Sequence, residues 1–300
     1  MVLMAPLVQA AASSLKAADK KAGKSGKMTL CLHQNTSLAA GYRKSLEGWA
    51  RAGVKQVELV SSMLDDFLKT DTLAAARKVV TDAGLTAVSC SPGLTDFWNP
   101  HPNHAALMET FKRRCEQYAT FGIKHIYNPA NSTTKITRDD YKAGLDIIRE
   151  TGDVAKQFGM VASIEFTRAS GYISNLRTCL QQIRAAGHSN VKVLFDCYHF
   201  WSGPSKFEDM DLLQKGDIAH VHFQDTPDTP RELYDNTTRL IPGDGISPLV
   251  KILQRIQATG YAGPLSVELF LPEFQQGDPY EVAKNIREKS ERVMKLAKVG

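Results

Sequence analysis

No two cysteines in this sequence are spaced as CxxC. The five present, Cys31, Cys90, Cys115, Cys179 and Cys197, are odd in number and scattered. That pattern argues against a disulfide framework and against a thiolate zinc site, and it suits reduced thiols in a cytoplasm. No apolar run is long enough to cross a bilayer. GxGxxG is missing, and the GDG at Gly243–Gly245 is far from the first strand, so a dinucleotide-binding fold has little support. GxSxG is missing too, which removes the usual setting of a nucleophilic serine. The GKS at Gly23–Ser25 lacks the upstream glycine of a phosphate-binding loop.

A concentrated positive charge on the body of the chain is also lacking. The net charge is +5, but residues 15–27 hold five lysines and one aspartate, which leaves about +1 for the rest. A nucleic-acid surface places its basic stripe on the folded domain. Here the excess lies in a Lys/Ala/Gly/Ser stretch expected to be a disordered extension over residues 1–27. Its first residues, MVLMAPLVQAAA, are apolar and end in small residues but have no basic start. A cytoplasmic protein is expected, with export the alternative if that stretch belongs to a leader.

From Met28 onward the chain alternates short apolar runs with helical periodicity, eight times over. The strands are expected at Met28–His33, Val54–Val60, Leu85–Cys90, Lys124–Pro129, Val161–Phe166, Val191–Asp196, Ile218–Asp225 and Leu265–Phe270. Helices are expected at about 42–51, 65–83, 104–121, 138–158, 176–186, 207–215, 248–259 and 280–298. Strand–helix alternation through a whole chain indicates a parallel sheet. Eight units closing on themselves make a single (β/α)8 barrel over residues 28–300, of the usual size for that architecture.

Four of the strands end in metal-type ligands. VASIEF carries Glu165, VKVLFD carries Asp196, IAHVHFQD carries His222 and LSVELF carries Glu268. In a barrel of parallel strands these ends converge on the face that carries active sites. Alternation along a strand places Glu165 with Ser163, Asp196 with Leu194, and His222 with His220. Three carboxylates and one imidazole suit one divalent cation: manganese first, with magnesium, cobalt or zinc also compatible. A single carboxylate at a strand end more often caps a helix or pairs with a lysine; three carboxylates and a histidine at corresponding ends do not fit that explanation. His220 lies deeper and is expected to be a hydrogen-bonded core residue, and Cys197 to pack against helices. Phe97, Trp98 and Trp201 lie in loops on the same side, either covering a sugar face or closing the barrel mouth. Lys192 sits at the wrong end of its strand for a Schiff base.

At these residues the chain resembles the xylose-isomerase-like barrels, a family that includes ketose 3-epimerases, keto-inositol isomerases, inosose dehydratase and the endonuclease IV group. The resemblance runs from Met28 to about Lys298. It is densest in FDCYHF, HFQDTPDTP, RLIPGDG and SVELFLPEF. It implies a metal-dependent isomerase or epimerase of a keto-sugar or keto-inositol, working by proton transfer through an enediolate. Glu165 and Glu268 are then both ligands and acid/base groups. His199, Arg239 and Glu58 are expected to hold substrate oxygens, with a barrel-floor ion pair as the other reading of Glu58. The implied partner is a small keto-sugar or keto-polyol, with no nucleic acid and no membrane; a homo-oligomer is compatible. A lyase on the same scaffold is the alternative. An endonuclease would need more histidine ligands, for which His33 is one candidate. Two departures from the family pattern, HQNTS in the first strand region and IPGDG without a tryptophan, fall where substrate would touch.

Overall fold

The computed structural model describes residues 26–300. The expected extension over residues 1–27 therefore lies, apart from Gly26 and Lys27, outside the described residues. Eight strands form a closed parallel barrel in chain order: β1 (Thr29–His33), β2 (Gln56–Val60), β3 (Thr86–Ser91), β4 (His125–Pro129), β5 (Val161–Glu165), β6 (Val191–Asp196), β7 (Ile218–His222) and β8 (Pro264–Val267). Leu30 pairs with Leu265 and Leu32 with Val267, so β1 closes the ring on β8. A backbone bond of 2.7 Å from Met28 N to Val299 O holds the two ends of this body together.

The helices are α1 (Gly41–Arg51), α2 (Ser61–Leu68), α3 (Leu73–Asp82), α4 (His104–Ala119), α5 (Arg138–Gln157), α6 (Leu176–Ala186), α7 (Cys197–Ser202), α8 (Leu249–Ala258), α9 (Pro272–Gln275) and α10 (Pro279–Ala297). Each long helix buries one stripe against the barrel. In α10 the stripe includes Val282, Ile286, Val293 and Ala297, and the helix packs between α1 and α8. Burying a side chain such as Ile286 stabilises the fold by about 1.5–3 kcal/mol. Local signals set the ends: α6 begins where Asn175 Oδ1 accepts from Thr178 N at 2.8 Å and stops at Gly187, with φ of 69°. A positive-φ glycine recurs in all seven turns that lead from a helix layer into a strand, Gly84 and Gly122 among them. These turns make the end of the barrel away from Glu165, Asp196 and His222.

Several boundaries differ from the sequence reading. The helix expected over 65–83 is two, α2 and α3, because Thr72 adopts an extended backbone and caps a new start at Ala75. FDCYHF continues directly into α7, since the Asp196 carboxylate caps His199 N at 2.6 Å. Residues Phe207–Leu212 form a 3-10 turn, and α9 was not expected. Strand β7 stops at His222 and β8 at Val267, so Glu268 lies one residue beyond its strand.

Two register shifts matter for the site. One between Val57 and Glu58 sets Glu58 level with Ser89 on β3. The other, between Val193 and Leu194, sets His222 level with Asp196. All five cysteines are buried and unpaired with one another, and Cys197 lies in the hydrophobic core as expected. No helix among the described residues is long and apolar enough to cross a membrane.

Candidate metal centre and active site

The strand ends bring Glu165, Asp196, His222 and Glu268 together. One ligand atom from each lies within 4.8 Å of the others, and all four residues are buried. The His222 imidazole faces all three carboxylates through one nitrogen. Its Nδ1 is 3.1 Å from Glu165 Oε1, 3.4 Å from Glu268 Oε2 and 3.5 Å from Asp196 Oδ2. The parity of the strands explains the convergence, because Glu165, Asp196 and His222 end their strands in inward positions and Glu268 follows β8 by one residue.

Asp196 is held from three sides. Besides capping α7, its carboxylate accepts from Gln224 Nε2 at 2.7 Å and from Arg239 Nη1 at 3.2 Å. Arg239, only 2 % exposed, also donates to Glu268 Oε2 at 2.6 Å and lies 3.0 Å from His199 Nε2. Its guanidinium is sandwiched between the Tyr198 and Phe270 rings, with centroids 5.1 and 5.0 Å away. His33 Nε2 is 3.4 Å from Glu268 Oε1 and 2.9 Å from Tyr127 Oη.

The three carboxylates titrate differently. Burial pushes Glu165 up to about 7; the His222 ring opposes this, and Asp196 and Glu268 add to it. Burial acts the same way on Asp196, but His199, Arg239 and His222 outweigh it and hold that carboxyl well below the usual range. Glu268 is also lowered, because His33, Arg239 and His222 overcome its burial. His222 is raised well above the ordinary imidazole value: burial lowers it, yet Glu58, Glu268, Asp196 and Glu165 prevail. Burial raises Glu165 and the surrounding carboxylates raise His222, so the cluster favours an added positive charge. Three hard oxygens and a nitrogen are the donors a divalent cation takes. The residues present fit such an ion.

A cavity of about 440 Å³ opens over this cluster, lined by Asn35, Tyr127, Glu165, His199, Arg239 and Glu268 among others. A larger cavity of about 670 Å³ lies at the opposite end of the strands, beside Thr29, Gln56 and Arg287. Glu291 is the one acidic side chain among its lining residues, and no imidazole lines it.

Three of the residues singled out as substrate contacts lie away from the cavity wall. Glu58 is fully buried below the cluster, 3.0 Å from His220 Nε2 and accepting from Ser89 Oγ at 2.9 Å. The barrel-floor reading describes its surroundings, and His220 is the hydrogen-bonded core residue expected. Trp98 is 1 % exposed and donates its indole N–H to Asn128 O at 3.0 Å, packed on Phe97 rather than on the cavity. Trp201 is half-buried and stacks under the Arg231 guanidinium, 5.5 Å away, outside the cavity lining.

Sequence reasoning passed over Tyr127, Asn35, Gln224 and Asp225. Gln224 shares parity with His222, a signal that was available. Asp225 shapes the IPGDG loop: its carboxylate accepts from the backbone N–H groups of Thr226, Gly243, Gly245 and Ser247 at 2.8–3.1 Å. That part of the motif is architecture.

The chain is 25% identical over 273 residues to an inosose isomerase of Halalkalibacterium halodurans, covering 89% of this chain and 96% of that one. Its fold matches the crystal structure of the IOLI protein with a bound zinc atom at a TM-score of 0.83, with 22% identity, over 91% of this chain and 99% of that one. It also matches a D-allulose 3-epimerase from Methylomonas sp. in complex with D-allulose at a TM-score of 0.71, with 16% identity, over 89% and 97% of the two chains. Residues 46–295 match the family model described as xylose isomerase-like TIM barrel, and the chain belongs to that family.

Proposed function

We propose that this protein is a divalent-metal-dependent isomerase or epimerase acting on a keto-inositol or keto-sugar. The observation that carries the reading is the buried quartet Glu165, Asp196, His222 and Glu268, two of which, Glu165 and Glu268, line a cavity. The similarity to inosose isomerase along nearly the whole chain supports a keto-inositol as the first substrate to try.

In this reading the four residues hold one ion. Manganese, magnesium or cobalt suit the oxygen-rich set, and zinc suits it as well. A bound divalent cation would polarise a carbonyl and its neighbouring hydroxyl, making the hydrogen on the intervening carbon more acidic. The protein's own groups then do the proton work. Glu165 and Glu268 both line the cavity. One takes the carbon-bound proton as general base and the other returns a proton as general acid. Return to the neighbouring carbon gives isomerisation, and return to the opposite face gives epimerisation. Arg239 and His199, which line the cavity, would hold substrate oxygens. His199 stays neutral there, because burial lowers it to about 4 despite the nearby Asp196.

The test is incubation of the manganese-loaded protein with a panel of keto-inositols and ketoses in deuterated water. The expected result is a recovered isomer carrying solvent deuterium. Release of water with an unsaturated product would identify a lyase instead. Asp196→Asn and His222→Ala should lose metal content and turnover together; full occupancy in both by elemental analysis would overturn the ligand assignment.

A further inference from the structure

We infer that Glu58 is a positioning residue: from below the metal centre its carboxylate fixes the His222 ring so that Nδ1 faces the three ligand carboxylates. The inference rests on the metal reading proposed above.

The two nitrogens of His222 have different surroundings. Nδ1 lies 3.1–3.5 Å from Glu165, Glu268 and Asp196. Nε2 points the other way, with Glu58 Oε2 3.3 Å away; the two do not meet hydrogen-bond geometry, so Glu58 acts on it as a close buried anion and Nε2 has no hydrogen-bond partner. Both residues are fully buried, so no solvent competes for either. Glu58 is itself constrained: Ser89 Oγ donates to Oε1 at 2.9 Å, and His220 Nε2 is 3.0 Å from Oε2. The register shift at Val57/Glu58 puts Glu58 beside Ser89, and the one at Val193/Leu194 sets the height of His220 and His222. Two irregularities in the barrel thus meet at this carboxylate.

An imidazole binds a cation through a nitrogen without a proton, and the partner of the other nitrogen decides which one that is. An anion at Nε2 favours the Nε2–H tautomer. The Nδ1 lone pair is then left toward the ligand oxygens, and the ring cannot turn without abandoning a buried carboxylate. Partners of this kind are worth about 10–100-fold in metal affinity. A competing role exists for the same atoms, since His33, Glu58 and His222 also lie within 4.8 Å of one another. The two roles exclude each other at His222 Nε2, which carries either a proton toward Glu58 or a lone pair toward a second ion.

The experiment compares the full chain with Glu58→Gln, which keeps size and an acceptor for Ser89 but removes the charge. Manganese affinity is measured by competition with a chromogenic chelator, stoichiometry by elemental analysis, and Tm with and without manganese. The expected result is one ion per chain in both proteins, affinity weakened about 10–100-fold in the variant, and a smaller manganese-induced rise in Tm. Unchanged affinity with Tm lowered equally in both states would reduce Glu58 to a structural residue and overturn the inference. Two ions per wild-type chain falling to one in the variant would overturn it in favour of a direct ligand. No manganese bound by the wild type would instead sink the metal reading itself. If Glu58→Gln does not fold, Ser89→Ala serves in its place. Loosening Glu58 should then lower manganese affinity several-fold, and no change would refute the inference.

Discussion

Replacing Arg239 by methionine separates two cations that call on the same carboxylates. In the protein alone, Arg239 Nη1 lies 2.6 Å from Glu268 and 3.2 Å from Asp196, both of which are also candidate ligands. Methionine keeps much of the bulk between Tyr198 and Phe270 but removes the charge. Breaking a buried ion pair from one side costs about 3–5 kcal/mol, because the partner anion is left uncompensated. At ~2–4 °C per kcal/mol, the metal-free variant should melt roughly 6–20 °C below the wild type. Manganese supplies the missing positive charge to the same oxygens. Guanidinium and dication also repel at this range by an amount on the order of a few kcal/mol. The variant should therefore bind manganese about tenfold or more tightly, and its Tm should rise more on adding the ion. Turnover should nevertheless fall, since the group proposed to hold a substrate oxygen is gone. The assay is a thermal melt at pH 7.5 across a manganese series, with affinity taken from chelator competition. A metal-free variant as stable as the wild type, or a manganese-induced shift no larger than the wild type's, would refute the idea that arginine and metal share these carboxylates.

Manganese affinity should rise with pH. Glu165, pushed up to about 7, and His222, also raised, must both lose protons to become ligands, so lowering the pH expels the ion. Below pH 7 the Glu165 proton alone costs about tenfold per pH unit, and chelator competition at pH 6, 7 and 8 would show a flat profile if this is wrong. Glu165→Gln and Glu268→Gln should still bind manganese at high concentration yet lose turnover by about 10²-fold or more, and near-normal rates at measured full occupancy would make that glutamate a ligand only. Gly245→Ala should destabilise the IPGDG loop, because a Cβ there would stand 2.1 Å from Thr226 O and 2.8 Å from the Asp225 carboxylate. An unchanged Tm would show that the loop shifts freely.

The convergence of Glu165, Asp196, His222 and Glu268 was legible in the sequence because strand periodicity is strict. A residue at the end of an inward row stays inward, and four such rows met in one place. The strand order followed from the same alternation. Side chains outside the strands were harder to place. Trp98 and Trp201 read as loop aromatics over a sugar face or the barrel mouth, yet Trp98 packs on Phe97 and Trp201, carried by α7, stacks under Arg231, because strand parity does not reach past the strand ends. Glu58 shows a subtler failure. Its position on β2 was correct, but the register shift next to it sets its depth in the barrel, and no local pattern signals that shift. The role of Asp225 was hidden for a related reason: its four backbone partners are distant in sequence or lie in irregular chain.

All four proposed ligands come from β5 to β8 or just past them, and the last, Glu268, follows the strand that closes the ring on β1. The first strand thus waits on one side for a neighbour made more than two hundred residues later. Long-range pairing of that kind is paid for in loop entropy before it is rewarded, which makes it a late step in folding. Barrel closure and completion of the ligand set are consequently one event in time. On a ribosome, neither can precede the emergence of the final strand, and high-affinity uptake of the ion would report that the chain has finished folding.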